Sequence, residues 1–180
     1  MRRIIIFFWL VCGAGVILAT AQRTEQPDAS SCRRFAQQFY DWYAPLTQKE
    51  AATPSWDVAL EQKSELFSAQ LVKLLKADSL ARSKAQGELV GLDFDPFVGG
   101  QDPADHYDVR RVSVKSGTNC FVQVWRNSPN DTSEKSLKPD VVAALLLGNA
   151  NWHFVNFRYP AVNTDLLKTL AQLRRDRHGR

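Results

Sequence analysis

Several features that mark specialised classes of protein are scarce in this sequence. Its 180 residues include only 3 cysteines, 9 glycines and 8 prolines. These counts exclude a disulfide-dense miniature scaffold, a collagen and a low-complexity tail. The chain also has no internal repeats, and its length suits one ordinary domain.

A strong excess of one charge is missing as well. The chain carries 23 Lys and Arg against 19 Asp and Glu, and its first residues include Arg2 and Arg3 but no acid. Without those two arginines the basic and acidic counts are nearly equal. We therefore predict no nucleic-acid partner, because such proteins carry a basic patch or stripe.

The N-terminus has the pattern of a secretory leader. After the two arginines, an apolar run extends from Ile4 to Leu18, and Ala19-Thr20-Ala21 matches the small-x-small pattern that signal peptidase cleaves. The run is shorter than the roughly 20 residues that span a bilayer, which argues against an uncleaved anchor. We predict that residues 1–21 are a signal peptide, that no stable membrane span remains after cleavage, and that the protein is exported to the periplasm or the extracellular medium.

Two cysteines follow the leader, Cys32 and Cys120. An oxidising compartment permits a disulfide between them. Because the loop is long, such a bridge would stabilise the fold by about 4 to 5 kcal/mol in the chain-entropy treatment. Two buried free thiols are the alternative, since free cysteine packs as a small hydrophobic residue. The sequence does not choose between the two.

The mature chain begins with a polar segment and a helical pattern. Residues 22–30 lack apolar periodicity and are predicted to be a flexible spacer. Apolar side chains then recur at steps of three and four, which predicts a first helix capped by Ser30 or Ser31. Pro45 is expected to limit this helix, because the residue before a proline is pushed out of helical geometry.

Two further helices are predicted in the first half. One begins after Pro54, with Ser55 as its N-cap. The other is capped by Ser68 and continues through about Arg82. Three helices thus precede the strands.

The next segment has the twofold periodicity of strands. Tyr107 and Val109 alternate with polar residues, and the parity of the apolar positions changes at Arg110-Arg111. A β-bulge produces such a change of parity. Residues 116–119 predict a hairpin turn that leads into a second strand over 120–125.

A second hairpin and a final helix complete the expected fold. Apolar residues at 141–147 and strand-forming residues at 152–159 flank a short turn. A last helix capped by Thr164 follows. Helices before an antiparallel meander define the α+β class. We predict one domain over 31–180, in which N-terminal helices and a C-terminal helix pack on a strongly curved, cone-like antiparallel sheet, with a pocket between helices and sheet.

Several segments of the chain resemble one family. They are the helix at 35–43, the helix start at Phe67-Ser68, the run Leu92-Asp93-Phe94-Asp95-Pro96-Phe97 with Gln101-Asp102, and the hairpin at Trp152. Over about residues 31–160 the chain resembles the exported bacterial domain-of-unknown-function family numbered 3828, which is itself similar to the nuclear transport factor 2-like superfamily. The resemblance implies a cone of helices on a bent sheet. That superfamily hosts isomerases, dehydratases, binding modules and scaffolds, so the resemblance assigns no catalytic residue.

Acidic residues gather between the helical and the strand halves. Asp93 and Asp95 alternate as Ca²⁺ ligands can. However, Phe97, Val98 and Ala104 stand where an EF-hand loop needs an oxygen ligand, a glycine and a glutamate. We therefore predict that these carboxylates accept hydrogen bonds from backbone N–H groups in turns. No metal and no cofactor is predicted.

Pocket chemistry in such a fold would need a titratable side chain with a shifted pKa and a facing hydrogen-bond donor. The sequence has no Gly-x-Ser-x-Gly or His-Glu-x-x-His motif. Ligand-pocket candidates therefore follow from residue type and position alone. They are Tyr40, Tyr43, Asp93, Asp95, Gln101, His106 and His153.

These patterns predict an exported, non-enzymatic binding or interaction module with a small-molecule or protein ligand. A pocket lyase or isomerase is the first alternative, and a titratable group with a perturbed pKa inside a cavity would favour it. An immunity-type inhibitor of a secreted protein is the second, and an exposed apolar patch would favour it. The ligand and the oligomeric state do not follow from the sequence.

Overall fold

The computed structural model describes residues 28–49, 51–85, 90–127 and 138–179. The predicted signal peptide and most of the predicted spacer lie outside the described residues. None of the helices in these ranges is long and apolar enough to cross a membrane. In chain order the elements are α1 Ala29–Thr47, α2 Ser55–Gln62, α3 Ala69–Lys84, β1 His106–Lys115, β2 Asn119–Asn127, β3 Val141–Gly148, β4 Asn151–Tyr159, β5 Thr164–Asp165 and α4 Leu166–His178.

The five strands form one antiparallel sheet in the order β1-β2-β3-β4-β5. Helices that precede this meander, with one helix after it, confirm the α+β class. The predicted bulge is present, because the register of β1 against β2 shifts between Val109 and Arg111. A second shift lies between Ala144 and Leu145. Bulges bend strands and increase their twist, but the strongly curved cone stays a prediction.

An aromatic core joins α1 to the sheet. The ring of Phe39 on α1 contacts those of Phe67, Phe97 and Phe154, with centroids 4.9 to 5.8 Å apart. Phe157 packs against both Phe97 and Phe154. Large aromatic side chains bury much apolar area each, so this cluster is a main source of stability. These rings pack against one another between α1 and β4.

The start and end of α1 differ from the prediction. The N-cap is Asp28, whose carboxylate accepts from the N–H of Ser31, while the Ser31 hydroxyl accepts from the N–H of Asp28. This reciprocal capping box explains why neither Ser30 nor Ser31 is itself the cap. The helix also continues through Pro45 to Thr47. A proline so near the C-terminus removes one hydrogen bond without ending the helix before it.

Of the three remaining predicted N-caps, Ser68 is confirmed, whereas Ser55 and Thr164 are wrong. Ser68 caps α3, because its hydroxyl accepts from the N–H of Leu71. The hydroxyl of Ser55 instead donates to the carbonyl of Leu46, which ties α2 to the end of α1. Asp165 caps α4 in place of Thr164, because the Asp165 carboxylate accepts from the N–H of Lys168.

Cys32 and Cys120 form a disulfide, with their Cα atoms 6.7 Å apart. Both residues are fully buried. The bridge joins α1 to β2, so it holds the first helix on the sheet. Of the two alternatives that the sequence left open, the structure therefore has the bridged form.

Candidate functional site

The connector between α3 and β1 contains a tight loop from Asp95 to Gly100. The N–H of Asp95 donates to the carbonyl of Gly100 over 2.9 Å, and the N–H of Gly99 donates to the carbonyl of Asp95 over 2.8 Å. The Asp95 carboxylate accepts from the N–H of Phe97 over 2.9 Å. Such side-chain-to-backbone bonds are typical of aspartate in turns. The loop therefore fixes the Asp95 side chain through its own backbone.

Gly99 is required for this loop to pack on the sheet. Its φ of 73° lies in the left-handed region, where a side chain is unfavourable. A Cβ atom at this position would also lie 2.9 Å from Cγ2 of Val141 and 3.1 Å from the carbonyl oxygen of Asp140. Glycine thus allows the close approach between the loop and the start of β3.

Three buried tyrosines hold the loop from behind. Tyr40 on α1 and Tyr159 on β4 each donate to a loop carbonyl over 2.9 Å. The hydroxyl of Tyr43 donates to Oδ2 of Asp95 over 2.6 Å. The sequence places Tyr40 and Tyr43 beside the apolar stripe of α1, but both are fully buried in the core. Their hydroxyls are buried at no penalty because each has a hydrogen-bond partner.

Asp95 has an unusual ionisation. Burial raises its pKa from 3.8 to about 6, because desolvation disfavours the carboxylate. Hydrogen bonds from the Tyr43 hydroxyl and from the N–H groups of Phe97 and Val98 oppose this rise, since they stabilise the charged form. Asp95 therefore changes charge in a mildly acidic range, above the usual pKa of an aspartate.

Asp95 lies in the wall of a cleft of about 220 Å³ between the α1–α2 segment and the connector. This Asp95 cleft has a polar lining with two aromatic side chains. Its residues are Thr47, Lys49, Ala51, Thr53, Pro54, Ser55, Trp56, Asp93, Phe94, Asp95, Val98, Gly100, Gln101, Asp102 and Pro103.

The cleft has an acidic rim and an aromatic wall. Asp93 and Asp102 are exposed at its edge, and Lys49 is the one basic side chain among the lining residues that the structure describes. Trp56 is half-buried, and the guanidinium of Arg82 lies 5.0 Å from its ring centroid. That contact is a cation–π interaction and holds the indole in place. The cleft thus combines excess negative charge with a fixed aromatic surface.

Three of the seven predicted pocket residues line this cleft: Asp93, Asp95 and Gln101. The Gln101 amide donates to the backbone carbonyl of Asp93 over 2.8 Å. Asp95 accepts from the backbone as predicted, whereas the exposed carboxylate of Asp93 has no such bond among the described residues. Tyr40 and Tyr43 lie behind the cleft as supports.

The two histidines lie elsewhere. His106 is exposed at the start of β1, with its Nε2 atom 3.0 Å from a carboxylate oxygen of Asp108. His153 on β4 lines a separate surface cleft with Glu65 and Leu146. Neither histidine lines the Asp95 cleft.

The sequence did not point to the contribution of the α1–α2 segment. Thr47, Lys49 and Trp56 line the cleft, yet about forty residues separate them from the connector. No periodicity links two loops so far apart. Within the described ranges, no group of three His, Cys, Asp or Glu side chains is arranged to hold a metal ion.

Comparison of the chain with family models, with curated proteins and with solved structures found no match. The resemblance to the family numbered 3828 therefore stays a prediction. A function for this chain has to follow from the geometry of its own residues.

Proposed function

We propose that the protein is an exported, non-enzymatic binding module, and that the Asp95 cleft binds a small ligand rich in O–H or N–H donors. The observation that carries this proposal is the position of Asp95. Its two carboxylate oxygens are held by Tyr43 and by the N–H of Phe97, while the residue forms part of the cleft wall. A group fixed before the ligand arrives loses little conformational freedom on binding, which favours affinity.

The lining of the cleft supports a particular ligand chemistry. The described lining residues include three aspartates, Asp93, Asp95 and Asp102, against one lysine, Lys49, so a cationic or donor-rich ligand is electrostatically favoured over an anion. The volume of about 220 Å³ is below the roughly 300 to 1,000 Å³ of sites for drug-sized ligands. The ligand we propose is therefore no larger than one sugar ring, and Trp56 offers it an aromatic face.

Binding without chemistry fits the surroundings of Asp95 best. Among the described residues that line the cleft, there is no histidine and no second buried titratable side chain. Acid–base catalysis usually needs a proton acceptor and a proton donor on opposite sides of the reacting group. The nearest hydroxyl, that of Tyr43, is already used by Asp95 and is fully buried.

Export is supported by two features of the chain. The leader pattern at residues 1–21 precedes the first helix. The disulfide between Cys32 and Cys120 is consistent with an oxidising compartment. We therefore propose that the binding module acts outside the cytoplasm.

A matched pair of sugars tests the proposal. Glucosamine carries an ammonium group and hydroxyls, whereas glucose carries hydroxyls alone. By calorimetric titration at pH 7, we expect glucosamine to bind more tightly than glucose, and Asp95→Asn to weaken glucosamine binding at least tenfold. Asp105→Asn is the control, because Asp105 is exposed in the same connector and does not line the cleft. The proposal would be contradicted if glucosamine bound Asp95→Asn as tightly as the wild type. It would also be contradicted if neither sugar bound the wild type.

A pocket lyase or isomerase is the second candidate, and the raised pKa of Asp95 favours it. A carboxylate with a pKa of about 6 is suited to accept a proton near neutral pH. Incubation with dihydroxyacetone in D₂O tests this, since proton abstraction next to the carbonyl exchanges hydrogen for deuterium. Deuterium incorporation that is lost in Asp95→Asn would replace the binding proposal with the enzymatic one.

A further inference from the structure

A second cleft lies between α3 and α4 and shares no lining residue with the Asp95 cleft. Its volume is about 540 Å³, within the range of small-molecule sites. This α3–α4 groove has an apolar floor made by Leu74, Ala77, Leu80, Ala81 and Leu170. It is thus larger and less polar than the site around Asp95.

The floor follows from the sequence of α3. Leu74, Ala77 and Ala81 recur at steps of three and four, so they lie on one face of the helix. The two alanines leave room where larger side chains would fill the space against α4. Leu80 is 55% exposed, which is unusual for a large apolar side chain on a helix that also has a buried face. The groove therefore leaves apolar surface in contact with water.

The groove is surrounded by positive charge. Among the residues that the structure describes, its other lining side chains are Lys73, Lys84, Arg174, Arg177 and His178, and none of these is acidic. In the described part of the chain, Lys73, Lys84 and Arg174 make no ion pair.

Arg177 is fixed at this groove by a buried acid. Its Nη1 atom lies 2.6 Å from a carboxylate oxygen of Asp78, which is 1% exposed. The groove thus combines unpaired flexible cations with one positioned guanidinium.

We propose that the α3–α4 groove binds a single-chain anionic amphiphile, with its hydrocarbon tail on the apolar floor and its anionic head among the surrounding cations. Burial of a tail removes the exposed surface of side chains such as Leu80 from water. An anionic head balances the charges of Lys73, Lys84 and Arg174, which make no ion pair in the described part of the chain. A cationic amphiphile would meet like charge at these side chains, and a tail without a head would leave them unbalanced.

Three amphiphiles test the proposal on the purified protein, each below its micellar concentration. Dodecanoate and decanoate differ in tail length alone, and dodecyltrimethylammonium carries a cationic head in place of the carboxylate. By calorimetric titration we expect dodecanoate to bind, decanoate to bind roughly tenfold more weakly for its two missing methylenes, and dodecyltrimethylammonium not to bind. Equal binding of the anionic and cationic amphiphiles would overturn the proposal.

Variants locate the binding site. Ala77→Trp fills the groove from an exposed helical position and should abolish dodecanoate binding. Lys73→Glu should weaken it about tenfold, whereas Lys76→Glu, an exposed neighbour on α3 outside the groove, should leave it unchanged. Circular dichroism verifies that each variant is folded. Undiminished binding to folded Ala77→Trp would overturn the proposal, as would binding of an acidic helical peptide without any binding of dodecanoate.

Dodecanoate binding at the α3–α4 groove should not depend on the Asp95 cleft. Asp95→Asn should bind dodecanoate as the wild type does, because no residue is shared between the two sites. Failure of the sugar titration thus leaves the amphiphile proposal standing, and the reverse also holds.

Discussion

The hydroxyl of Tyr43 lies 2.6 Å from Oδ2 of Asp95, which joins the buried face of α1 to the connector loop. The two residues are 52 positions apart in the chain. Burial makes the charged form of Asp95 unfavourable, and the tyrosine partly restores it by donating a hydrogen bond. The stability of the loop and the ionisation of Asp95 are therefore linked, and the first two predictions follow from this link.

Asp95→Asn should remove a pH dependence of stability. Between pH 3.8, the usual pKa, and about 6, the folded pKa, the folded chain keeps a proton that the unfolded chain has lost. The contribution of Asp95 to the free energy of unfolding therefore falls as the pH rises through this window, by about 3 kcal/mol. Below the window the carboxyl is neutral in both states, and above it ionised in both.

Urea unfolding at several pH values measures this effect. Asparagine retains an oxygen that accepts from the N–H of Phe97, so Asp95→Asn should fold and should lose the decline between pH 4 and 6. Asp105→Asn should keep the decline, because Asp105 is exposed. The same pH dependence of stability in the wild type and in Asp95→Asn would contradict the raised pKa.

Tyr43→Phe should change both stability and ionisation, whereas Tyr40→Phe should change stability alone. Each variant leaves a buried acceptor without its donor, at a cost of about 1 to 3 kcal/mol. Tyr43 donates to the Asp95 carboxylate, so its loss should raise the pKa of Asp95 further. Tyr40 donates to the carbonyl of Phe97, so its loss removes no bond to the carboxylate. Carbon NMR titration of the aspartate carboxyls distinguishes the two results.

Local patterns predicted most of the secondary structure. The cap at Ser68 and the bulge near Arg110 were predictable, since each depends on neighbours within a few residues. The burial of Tyr40 and Tyr43 was not, because the periodicity of α1 has large apolar side chains on more than one face. Only the packing of the helix on the sheet determines which face is buried.

The candidate site was predictable in part. Asp95 and Gln101 belong to one short segment rich in Gly, Pro and Asp, and both were candidates from residue type and position alone. Trp56 and Lys49 come from another loop, and the pairing of the two loops is a tertiary contact without a sequence signal. The same reason hid the ion pair of Asp78 with Arg177, which are 99 residues apart.

Removal of the disulfide should lower stability without preventing the same fold from forming. The bridge between Cys32 and Cys120 closes a loop with a sequence separation of 88. In the chain-entropy treatment such a cross-link contributes about 4 to 5 kcal/mol. The double Ser variant should therefore melt well below the wild type, measured by calorimetry. Titration of unreduced wild-type protein should find no reactive thiol at these positions, and two reactive thiols would show that the bridge is absent.

The mature protein should begin at Gln22. Cleavage after Ala21 follows from the small-x-small pattern at the end of the apolar run. Intact-mass measurement of the exported protein decides this. Recovery of the chain in the membrane fraction with residues 1–21 still attached would contradict it and would favour the anchor.

Arg177→Met should destabilise the protein far more than Arg174→Met. Arg177 lies 2.6 Å from Asp78, which is 1% exposed and also accepts from the N–H of Leu92 over 2.9 Å. Asp78 thus joins α3, the connector and α4. Removal of the arginine leaves a buried carboxylate without its cation, and breaking a buried pair in this way costs about 3 to 5 kcal/mol.

Arg174 is a matched control for this pair, since it lies on the same helix and is exposed. Its replacement by methionine should change the free energy of unfolding by no more than about 0.5 kcal/mol. Gly91→Ala should act on the same carboxylate from the other side, because a Cβ atom there would lie 2.7 Å from Oδ2 of Asp78. Urea unfolding of the three variants measures the differences. Equal stability of Arg177→Met and Arg174→Met would show that the buried pair does not hold α4 on the domain.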